Sequence, residues 1–334
     1  MIKKALITGA GQDASYLCEH LIKKDIKPYV MIRRNSVPEN QHTRLDHIAD
    51  QIEFFYGDLT DQASLDRNLK SIQPDWIFNL AAQSNVGISF QVPVYTAQVN
   101  AIGTLNILES FKNNCPTARY YQASSSEMWG NSVDTDGCQR IGPEDENGVP
   151  TGTPFHPVSS YGAAKYFGFN MTRMYRKSYG LFASNGILMN HESPRRGSNF
   201  VTAKIVKTAC EIYLGFGDKL VLGNLSAQRD WGHSRDYTKG MIKILEHDTP
   251  LDILICTGVT RSVEDFCKIT FDKLGLDYKD YVVQDTKYFR PNELNYLKGD
   301  PSRMKEILDW EPETSFDEMI EEMIQYWLNS YRKK

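Results

Sequence analysis

Cysteine is scarce in the sequence and is not arranged for a disulfide framework or a metal site. Six cysteines occur among the 334 residues, and none forms a C-x-x-C motif or has a histidine beside it at metal-ligand spacing. They are Cys18, Cys115, Cys138, Cys210, Cys256 and Cys267. The pattern predicts reduced, buried thiols and no bound metal.

Long hydrophobic runs and an excess of basic residues are also missing. The apolar stretch after Ile2-Lys3-Lys4 is only a few residues long, far short of a signal sequence or a membrane span. With 24% charged residues and a formal net charge of -4, general binding to nucleic acid or anionic lipid is not expected. We therefore expect a cytoplasmic protein without nucleic-acid or membrane partners, which holds any anionic ligand locally.

Short apolar or β-branched runs alternate with helix-like segments over most of the chain, a pattern typical of a parallel sheet covered on both faces. The candidate strands are 5–7, 29–32, 52–56, 76–78, 120–121, 183–188 and 253–255. The predicted fold class is α/β: a doubly wound (Rossmann), mostly parallel seven-stranded sheet with a smaller, discontinuous C-terminal substrate domain.

Beyond Asn190 the composition changes to loops rich in Arg, Asn, Pro and Gly, which sets the predicted domain division. The domain that contains the wound sheet is expected to comprise residues 1–189 and 231–257, and the smaller substrate domain residues 190–230 and 258–334. The last helix of the second domain opens with Ser315-x-x-Glu318, a capping-box pattern, followed by an apolar stripe.

The stretch from Asn131 to Pro157 is unusually long for a connection and is rich in Gly, Pro, Asp and Glu. Two interpretations stay open at this point. One is a lid or other functional loop, and the other is a mobile surface insertion.

A glycine-rich turn follows the first predicted strand, in the sequence Thr8-Gly9-Ala10-Gly11-Gln12-Asp13-Ala14. Gly9 permits a tight turn, Gly11 lets the backbone approach a pyrophosphate, and the small Ala14 allows close packing of helix on strand. Because the unpaired N–H groups of the next helix favour negative charge, the motif predicts a dinucleotide there rather than an ordinary turn.

The second predicted strand ends in Arg33-Arg34, where an NAD enzyme usually carries an acidic residue for the ribose 2′-hydroxyl. Two guanidinium groups at the end of this strand can bind a ribose 2′-phosphate through charged hydrogen bonds, so we expect NADP rather than NAD. The alternative is a solvated basic turn. Asp58-Leu59, after the third strand, is predicted either to flank the adenine or to cap the next helix.

Tyr161 and Lys165 are spaced to lie on one face of a helix, one turn apart. A nearby ammonium is expected to lower the pKa of the phenol, which then accepts a proton from a sugar hydroxyl as hydride leaves for a nicotinamide. Ser125 and Glu127 follow the fifth strand, at the sheet edge where ligands bind, and Glu127 adds a carboxylate that oxidation alone does not need. An ordinary surface pair and strand-end capping serines are the alternatives.

Several of these segments together resemble the extended short-chain dehydrogenase/reductase group, and more narrowly the GDP-mannose 4,6-dehydratase family, almost from end to end. The motifs that carry the resemblance are Ile7-Thr8-Gly9 with Gly11-Gln12-Asp13, Ile32-Arg33-Arg34, Gly57-Asp58-Leu59, 79–84, 122–127, 161–165, Asn185-Gly186-Ile187, 190–197, 229–233 and Tyr288-Phe289-Arg290-Pro291. The segments 190–197 and 229–233 are the most specific.

The resemblance implies a role for each matching residue. The implied catalytic set is Ser125, Glu127, Tyr161 and Lys165. The implied cofactor residues are Gly9, Gly11, Gln12, Asp13, Arg33, Arg34, Asp58, Leu59, Leu80, Ala81, Ala82, Ser84, Tyr161, Lys165, Leu188, His191 and Arg196. The implied nucleotide-sugar residues are Ser84, Ser125, Glu127, Asn190, Val201, Lys204, Leu222, Gly223, Arg229, Arg290 and Glu293. The resemblance also implies a homodimer or homotetramer, in which residues 33–38 reach a neighbouring subunit's cofactor.

The chain departs from the family pattern in four places. Its glycine loop is one residue shorter than the usual G-x-x-G-x-x-G, and Ser125 replaces the usual Thr. Asn85 stands where a His is usual, and residues 131–160 are about a dozen longer than expected. The last two changes bear on which sugar fits.

The function expected from the resemblance is dehydration of GDP-mannose or a GDP-manno-heptose with a retained NADP. In the hypothesis, Tyr161 deprotonates the 4-hydroxyl as hydride leaves C4, Glu127 removes the C5 proton and assists loss of the C6 hydroxyl, and the hydride returns to C6. The alternatives are an NADP-dependent GDP-sugar epimerase or 4-dehydrogenase, and a non-enzymatic NADP-binding sensor.

Overall fold

The computed structural model describes residues 2–34, 44–146, 148 and 150–332. Its strands, numbered in chain order, are β1 (Lys4–Thr8), β2 (Lys27–Ile32), β3 (Glu53–Tyr56), β4 (Trp76–Asn79), β5 (Arg119–Ser125), β6 (Ile141–Glu144), β7 (Pro150–Gly152), β8 (Phe182–Leu188), β9 (Asn190–Glu192), β10 (Leu220–Leu222), β11 (Gln228–His233), β12 (Asp252–Ile255), β13 (Thr260–Ser262) and β14 (Val282–Gln284). The α-helices are α1 (Gln12–Lys23), α2 (Gln62–Ile72), α3 (Val86–Ser89), α4 (Pro93–Ala97), α5 (Gly103–Asn114), α6 (Ser160–Tyr179), α7 (Val201–Tyr213), α8 (Ser234–Glu246), α9 (Val263–Lys273), α10 (Tyr278–Tyr281), α11 (Ser302–Leu308) and α12 (Phe316–Arg332).

Seven strands form a central sheet in the order β12-β8-β5-β4-β1-β2-β3, and every neighbouring pair is parallel. The predicted doubly wound, seven-stranded sheet is therefore confirmed. The chain reverses its winding between β1 and β4, so their carboxyl ends border the crevice in which ligands of such sheets bind.

Alternating side chains of the strands bury both faces of the sheet. On β1, Ala5 and Ile7 belong to a core shared with α1 and α8, whereas Leu6 belongs to a core shared with α2 and α5. All three side chains are at most 2% exposed, which explains why these strands read as continuous apolar runs.

A third core lies outside the central sheet, where α7, α9 and α12 pack together around residues such as Ile205, Phe266 and Ile320. The predicted capping box opens α12: the amide of Ser315 donates to Glu318 at 2.8 Å, and the amide of Glu318 donates to Ser315 Oγ at 3.3 Å. The strand β11 pairs with β9 and β13, and β10 pairs with β14, in small sheets beside this core. The domain boundaries expected from composition stay a prediction.

The long stretch after Asn131 contains the antiparallel hairpin β6–β7. The guanidinium of Arg140 lies 2.7 Å from Asp134, 2.5 Å from Asp136 and 3.0 Å from Asp300, and the indole of Trp129 donates to Thr153 O at 3.0 Å. These contacts hold the stretch against the body of the protein.

Candidate functional site

Two neighbouring cavities open at the carboxyl edge of the sheet, with volumes of about 520 and 460 Å³. Both volumes fall in the range of small-molecule sites. Their common wall comprises Asp13, Leu80, Ala82, Ser84, Arg196, Asn199 and Phe200. The two cavities therefore form one continuous cleft. No described residue between 131 and 157 lines either of them, and the role of that stretch stays a prediction.

The glycine loop forms one end of the first cavity. Gly9 has φ of +84°, and a Cβ there would lie 3.3 Å from the Cα of Ala81, so this turn needs glycine. Gly11 precedes α1 without a side-chain cap, which leaves the first N–H groups of the helix for an anionic ligand. Ala14 is 2% exposed, as expected for close helix-strand packing.

The end of β1 also fixes the loop after β4. The hydroxyl of Thr8 donates to Asn79 at 2.8 Å and accepts from the amides of Leu80 and Ala81 at 2.9 Å each. Residues 80–84 are thereby held along the first cavity.

Most predicted cofactor residues line this first cavity. They are Gly9, Gly11, Gln12, Asp13, Arg33, Asp58, Leu59, Leu80, Ala81, Ala82, Ser84 and Arg196. Leu188, His191, Tyr161 and Lys165 line the adjoining second cavity instead. Arg34 is exposed and lines neither cavity, so the structure does not bring it together with the others. Residues 35–38, also expected near a cofactor, lie outside the described residues.

The side chain of Gln12 is engaged within the protein. Its amide donates to His191 O at 2.9 Å, and its Oε1 accepts from the hydroxyl of Ser193 at 2.8 Å. Gln12 therefore ties α1 to the β9 segment, which leaves its backbone for a ligand in the cavity.

The second cavity contains the whole predicted catalytic set. Tyr161 and Lys165 lie in the first turns of α6, which begins at a cap where Ser159 Oγ accepts from the amide of Gly162 at 3.0 Å. A Cβ at position 162 would lie 2.6 Å from the carbonyl oxygen of Glu127. Glycine at this position is what lets the helix bring Tyr161 close to the segment that carries Glu127.

Burial governs the titration of Tyr161 and Lys165. Burial raises the pKa of Tyr161 to about 12; a hydrogen bond from Ser125 and the charge of Arg196 oppose this rise, and the charge of Glu127 adds to it. Burial likewise lowers the pKa of Lys165 to about 8. The expected lowering of the Tyr161 pKa is therefore wrong, because desolvation outweighs the neighbouring groups that act to lower it.

Lys165 is fixed beside Tyr161. Its Nζ donates to Ala123 O at 2.8 Å and lies 5.8 Å from the centre of the Tyr161 ring. Ser125 Oγ accepts from the amide of Glu127 at 3.3 Å, so the strand-end serine also orders the acidic residue. The group offers a phenol, an amine, a hydroxyl and a carboxylate within one buried space.

Two arginines face the carboxylates in the second cavity. Arg290 Nη1 lies 3.4 Å from Glu127 Oε1 and 3.9 Å from Glu293 Oε1, while Arg229 Nη2 lies 3.5 Å from Glu293. Arg229 is 6% exposed, and burial lowers its pKa. Cations held in a poorly solvated wall suit the phosphates of a nucleotide sugar.

All the predicted nucleotide-sugar residues line the second cavity. They are Ser84, Ser125, Glu127, Asn190, Val201, Lys204, Leu222, Gly223, Arg229, Arg290 and Glu293. Helix α7 begins here after Phe200 without a side-chain cap, and Lys204 Nζ donates to Val221 O at 2.6 Å near the ring of Tyr288.

Sequence reasoning missed several lining residues, including Arg44, Tyr95, Asn199, Phe200 and Tyr288. Tyr95 accepts a hydrogen bond from Arg33 Nη1 at 2.6 Å, and Arg196 stacks 3.7 Å over the ring of Phe200. The sequence signals near these residues were the Arg33-Arg34 and Arg195-Arg196 pairs and, for Tyr288, the motif that also contains Arg290. Asn85, where a His was expected, also lines the second cavity and caps α3 by accepting from Ile88 N at 3.0 Å.

A search for metal-binding groups of three or more His, Cys, Asp or Glu side chains finds none among the residues that the structure describes. Within the same residues, no helix has the length and apolar character needed to cross a membrane. The six cysteines are free thiols, and Cys138 alone is not buried.

Comparison with known proteins identifies relatives over the whole chain. Residues 6–323 match the model of the GDP-mannose 4,6 dehydratase family. GDP-mannose 4,6 dehydratase 2 of Arabidopsis thaliana is 44% identical, with 96% of this chain and 86% of the relative covered. The GDP-mannose 4,6-dehydratase of Yersinia enterocolitica is 42% identical, with coverage of 97% and 93%. The crystal structure of a dTDP-glucose 4,6-dehydratase from Streptomyces venezuelae with NAD bound has a TM-score of 0.81 at 22% identity, with 99% and 98% covered.

Proposed function

The chain belongs to the GDP-mannose 4,6-dehydratase family, and from this membership we propose that it removes water from GDP-mannose or a GDP-manno-heptose. The product is the corresponding GDP-4-keto-6-deoxy sugar. The observation that carries the proposal is the joining of a dinucleotide-sized cavity to a second cavity that holds Glu127, Tyr161 and Lys165 together.

The first cavity fits a nicotinamide dinucleotide. The glycine turn at Gly9 and the uncapped start of α1 suit a pyrophosphate, and Leu188 and His191 lie beside Tyr161 where the nicotinamide end would extend. The glycine turn and the start of α1 would hold this cofactor, which would supply reversible hydride transfer for C4 and C6 of the sugar.

The protein's own groups handle the protons. Tyr161, as phenolate, accepts the proton of the sugar's 4-hydroxyl, while Ser125 orients the same oxygen by a hydrogen bond. The ammonium of Lys165, fixed by Ala123 O, supplies a positive charge beside the phenolate. The ketone at C4 acidifies C5–H, and Glu127 removes that proton and gives it to the C6 hydroxyl, which departs as water. Return of hydride to C6 is accompanied by protonation of C5, and this balances the proton that Tyr161 took from the 4-hydroxyl.

We further propose NADP as the cofactor, because no acidic residue stands at the end of β2 where an NAD enzyme carries one. Arg33 lines the cavity there and is held by Tyr95. A guanidinium in this place matches a ribose 2′-phosphate. Arg34 lines neither cavity, so the match to the 2′-phosphate rests on Arg33 alone.

Arg229, Arg290, Lys204 and the start of α7 support a diphosphate in the second cavity. The proposed substrate is therefore a GDP sugar in the manno configuration. The homodimer or homotetramer and the cytoplasmic location stay predictions.

The decisive experiment incubates the purified protein with GDP-mannose, with GDP-manno-heptose and, as a control, with UDP-glucose, and follows the products by mass spectrometry in heavy water. Loss of one water molecule from a GDP sugar supports the proposal. Exchange at C5 or C3 without loss of water would mean an epimerase, and a 4-keto product that keeps its C6 hydroxyl would mean a 4-dehydrogenase. Binding of the dinucleotide without any turnover would mean a sensor.

A further inference from the structure

The backbone of Arg44 lies against the first turns of α1, at the pyrophosphate end of the first cavity. Ser15 Oγ donates to Arg44 O at 2.7 Å, and Arg44 Nε donates to Arg195 O at 2.7 Å. Neither bond uses the two terminal nitrogens of the Arg44 guanidinium, so both nitrogens can donate to another partner. The side chain lines the first cavity together with Gly9–Ala14.

The neighbouring arginines already have acidic partners. Arg195 Nη2 lies 2.6 Å from Glu19, and Arg196 Nε lies 3.0 Å from Glu192. Within residues 2–34, 44–146, 148 and 150–332, Arg44 has no acidic side chain within salt-bridge distance. Among these described residues, Arg44 is the one of the three arginines without an acidic partner.

The carboxylate at the start of α1 does not serve as that partner. Asp13 lies 3.0 Å from His191 Nε2 and accepts from the hydroxyl of Ser234 at 2.6 Å. Burial lowers the pKa of Arg44, the phenol of Tyr326 acts to raise it, and the nearby charge of Arg196 lowers it further, so the charged guanidinium is held at a cost in solvation. An anion in the cavity would remove this cost.

We propose that Arg44 binds the pyrophosphate of the dinucleotide, from the side opposite the N–H groups of α1. The inference rests on the proposed function, and it assigns Arg44 a role distinct from that of Arg33 at the ribose. A guanidinium offers two parallel donors to phosphate oxygens, which the helix terminus complements with backbone N–H groups.

The roles of Arg44 and Arg33 can be distinguished by measuring the binding of two cofactors. NADPH and NADH share the pyrophosphate but differ in the 2′-phosphate, so the dissociation constants of both are measured by nicotinamide fluorescence. Arg44→Gln is expected to weaken the binding of NADPH and of NADH by the same factor. This factor is on the order of 10-fold or more, which corresponds to the loss of one charged hydrogen bond. Arg33→Gln is expected to weaken NADPH and leave NADH nearly unchanged.

Matched variants guard against general effects of charge and folding. Arg67→Gln makes the same charge change at an exposed position on α2, away from the cavities, and is expected to leave both constants unchanged. Arg44→Lys keeps the positive charge and is expected to weaken both cofactors in parallel by a smaller factor. If thermal unfolding shows that Arg44→Gln does not fold, the inference is tested with Arg44→Lys instead.

Three results would overturn the inference. These are Arg44 variants that bind both dinucleotides like the parent, Arg44 variants that lose only the binding of NADPH, and an effect of Arg67→Gln equal to that of Arg44→Gln. A parent protein that binds neither dinucleotide would instead refute the proposed function, so the two failures are distinguishable.

Discussion

The Oδ2 of Asp13 lies 3.0 Å from Nε2 of His191, and this pair joins the first turn of α1 to β9 at the boundary of the two cavities. Burial acts to raise the pKa of Asp13, but the charge and hydrogen bond of His191 outweigh it, so the pKa lies below 3.8. Burial acts to lower the pKa of His191, but Asp13 outweighs it, and the pKa lies above 6.5. Each partner therefore favours the charged form of the other.

The pair predicts a specific dependence of stability on pH. The contribution of Asp13 is present above pH 3.8 and is lost as pH falls through its lowered pKa. The contribution of His191 is complete below pH 6.5 and is lost as pH rises through its raised pKa. We expect the difference in thermal unfolding midpoint between the parent and Asp13→Asn to be largest between pH 3.8 and 6.5.

Circular dichroism melts at several pH values would measure this difference. Asp50→Asn, at an exposed position, is the matched control and should show no such dependence. A destabilisation by Asp13→Asn that grows as pH rises above 6.5 would contradict the assigned charges.

Tyr161→Phe removes the phenolic oxygen and keeps the ring in its buried place. Loss of the general base is expected to lower kcat for water loss by about 10²- to 10⁴-fold. The dissociation constants for NADPH and GDP-mannose should change far less, because the cavity walls are unchanged. Turnover at the parent rate would remove Tyr161 from the mechanism.

Glu127→Gln tests the step that separates dehydration from oxidation. The amide keeps the shape of the carboxylate but does not take the C5 proton, so water loss is expected to fall by about 10²- to 10⁴-fold. Oxidation at C4 should persist, and reduced cofactor should accumulate on mixing with GDP-mannose. Stopped-flow absorbance of the nicotinamide and mass spectrometry of the sugar would measure both steps.

Glu293→Gln is the control for this experiment, since Glu293 also faces Arg229 and Arg290. It should mainly raise KM for the GDP sugar and should not accumulate reduced cofactor. Equal accumulation in both variants would show that Glu127 has no particular role in elimination.

The segment after Asn131 has a predicted effect on substrate affinity without lining the cleft. Asn131 donates to Glu293 O at 3.2 Å and accepts from the amide of Asn295 at 2.9 Å, and so holds the segment that carries Glu293. Asn131→Ala should raise KM for GDP-mannose by roughly 3- to 10-fold with little change in kcat, the size of one or two lost hydrogen bonds.

Steady-state kinetics would test this effect beside Asn329→Ala, an exposed position on α12. The binding of NADPH should be the same in both variants. A fall in kcat with unchanged KM in Asn131→Ala would refute a positioning role for this residue.

The central sheet could be predicted because its strands are buried on both faces and each one carries a local apolar run. The small sheets could not, since β9, β10, β13 and β14 have only three residues each and pair with partners distant in sequence. The hairpin after Asn131 could not be predicted from the sequence either, because the contacts of Arg140 depend on tertiary packing.

The site divides in a similar way. Motif residues such as Gly9 and Tyr161 carry their chemistry in local spacing, and they lie where the motifs predict. Arg44 and Phe200 are brought to the cleft by the packing of loops, and no local pattern marks them. The pKa of Tyr161 also escaped prediction, because burial is a property of the folded protein and outweighs the charge of a neighbour.

The common wall of the two cavities has a consequence for the order of events in catalysis. Arg196, Asn199 and Phe200 belong to both cavities, so a ligand that fixes them in one also shapes the other. We therefore expect binding of the dinucleotide to change the affinity for the sugar nucleotide, and binding of the sugar nucleotide to change the affinity for the dinucleotide by the same factor. In the proposed mechanism the cofactor stays bound through each turnover, so its effect on the shared wall is already present when each substrate molecule binds.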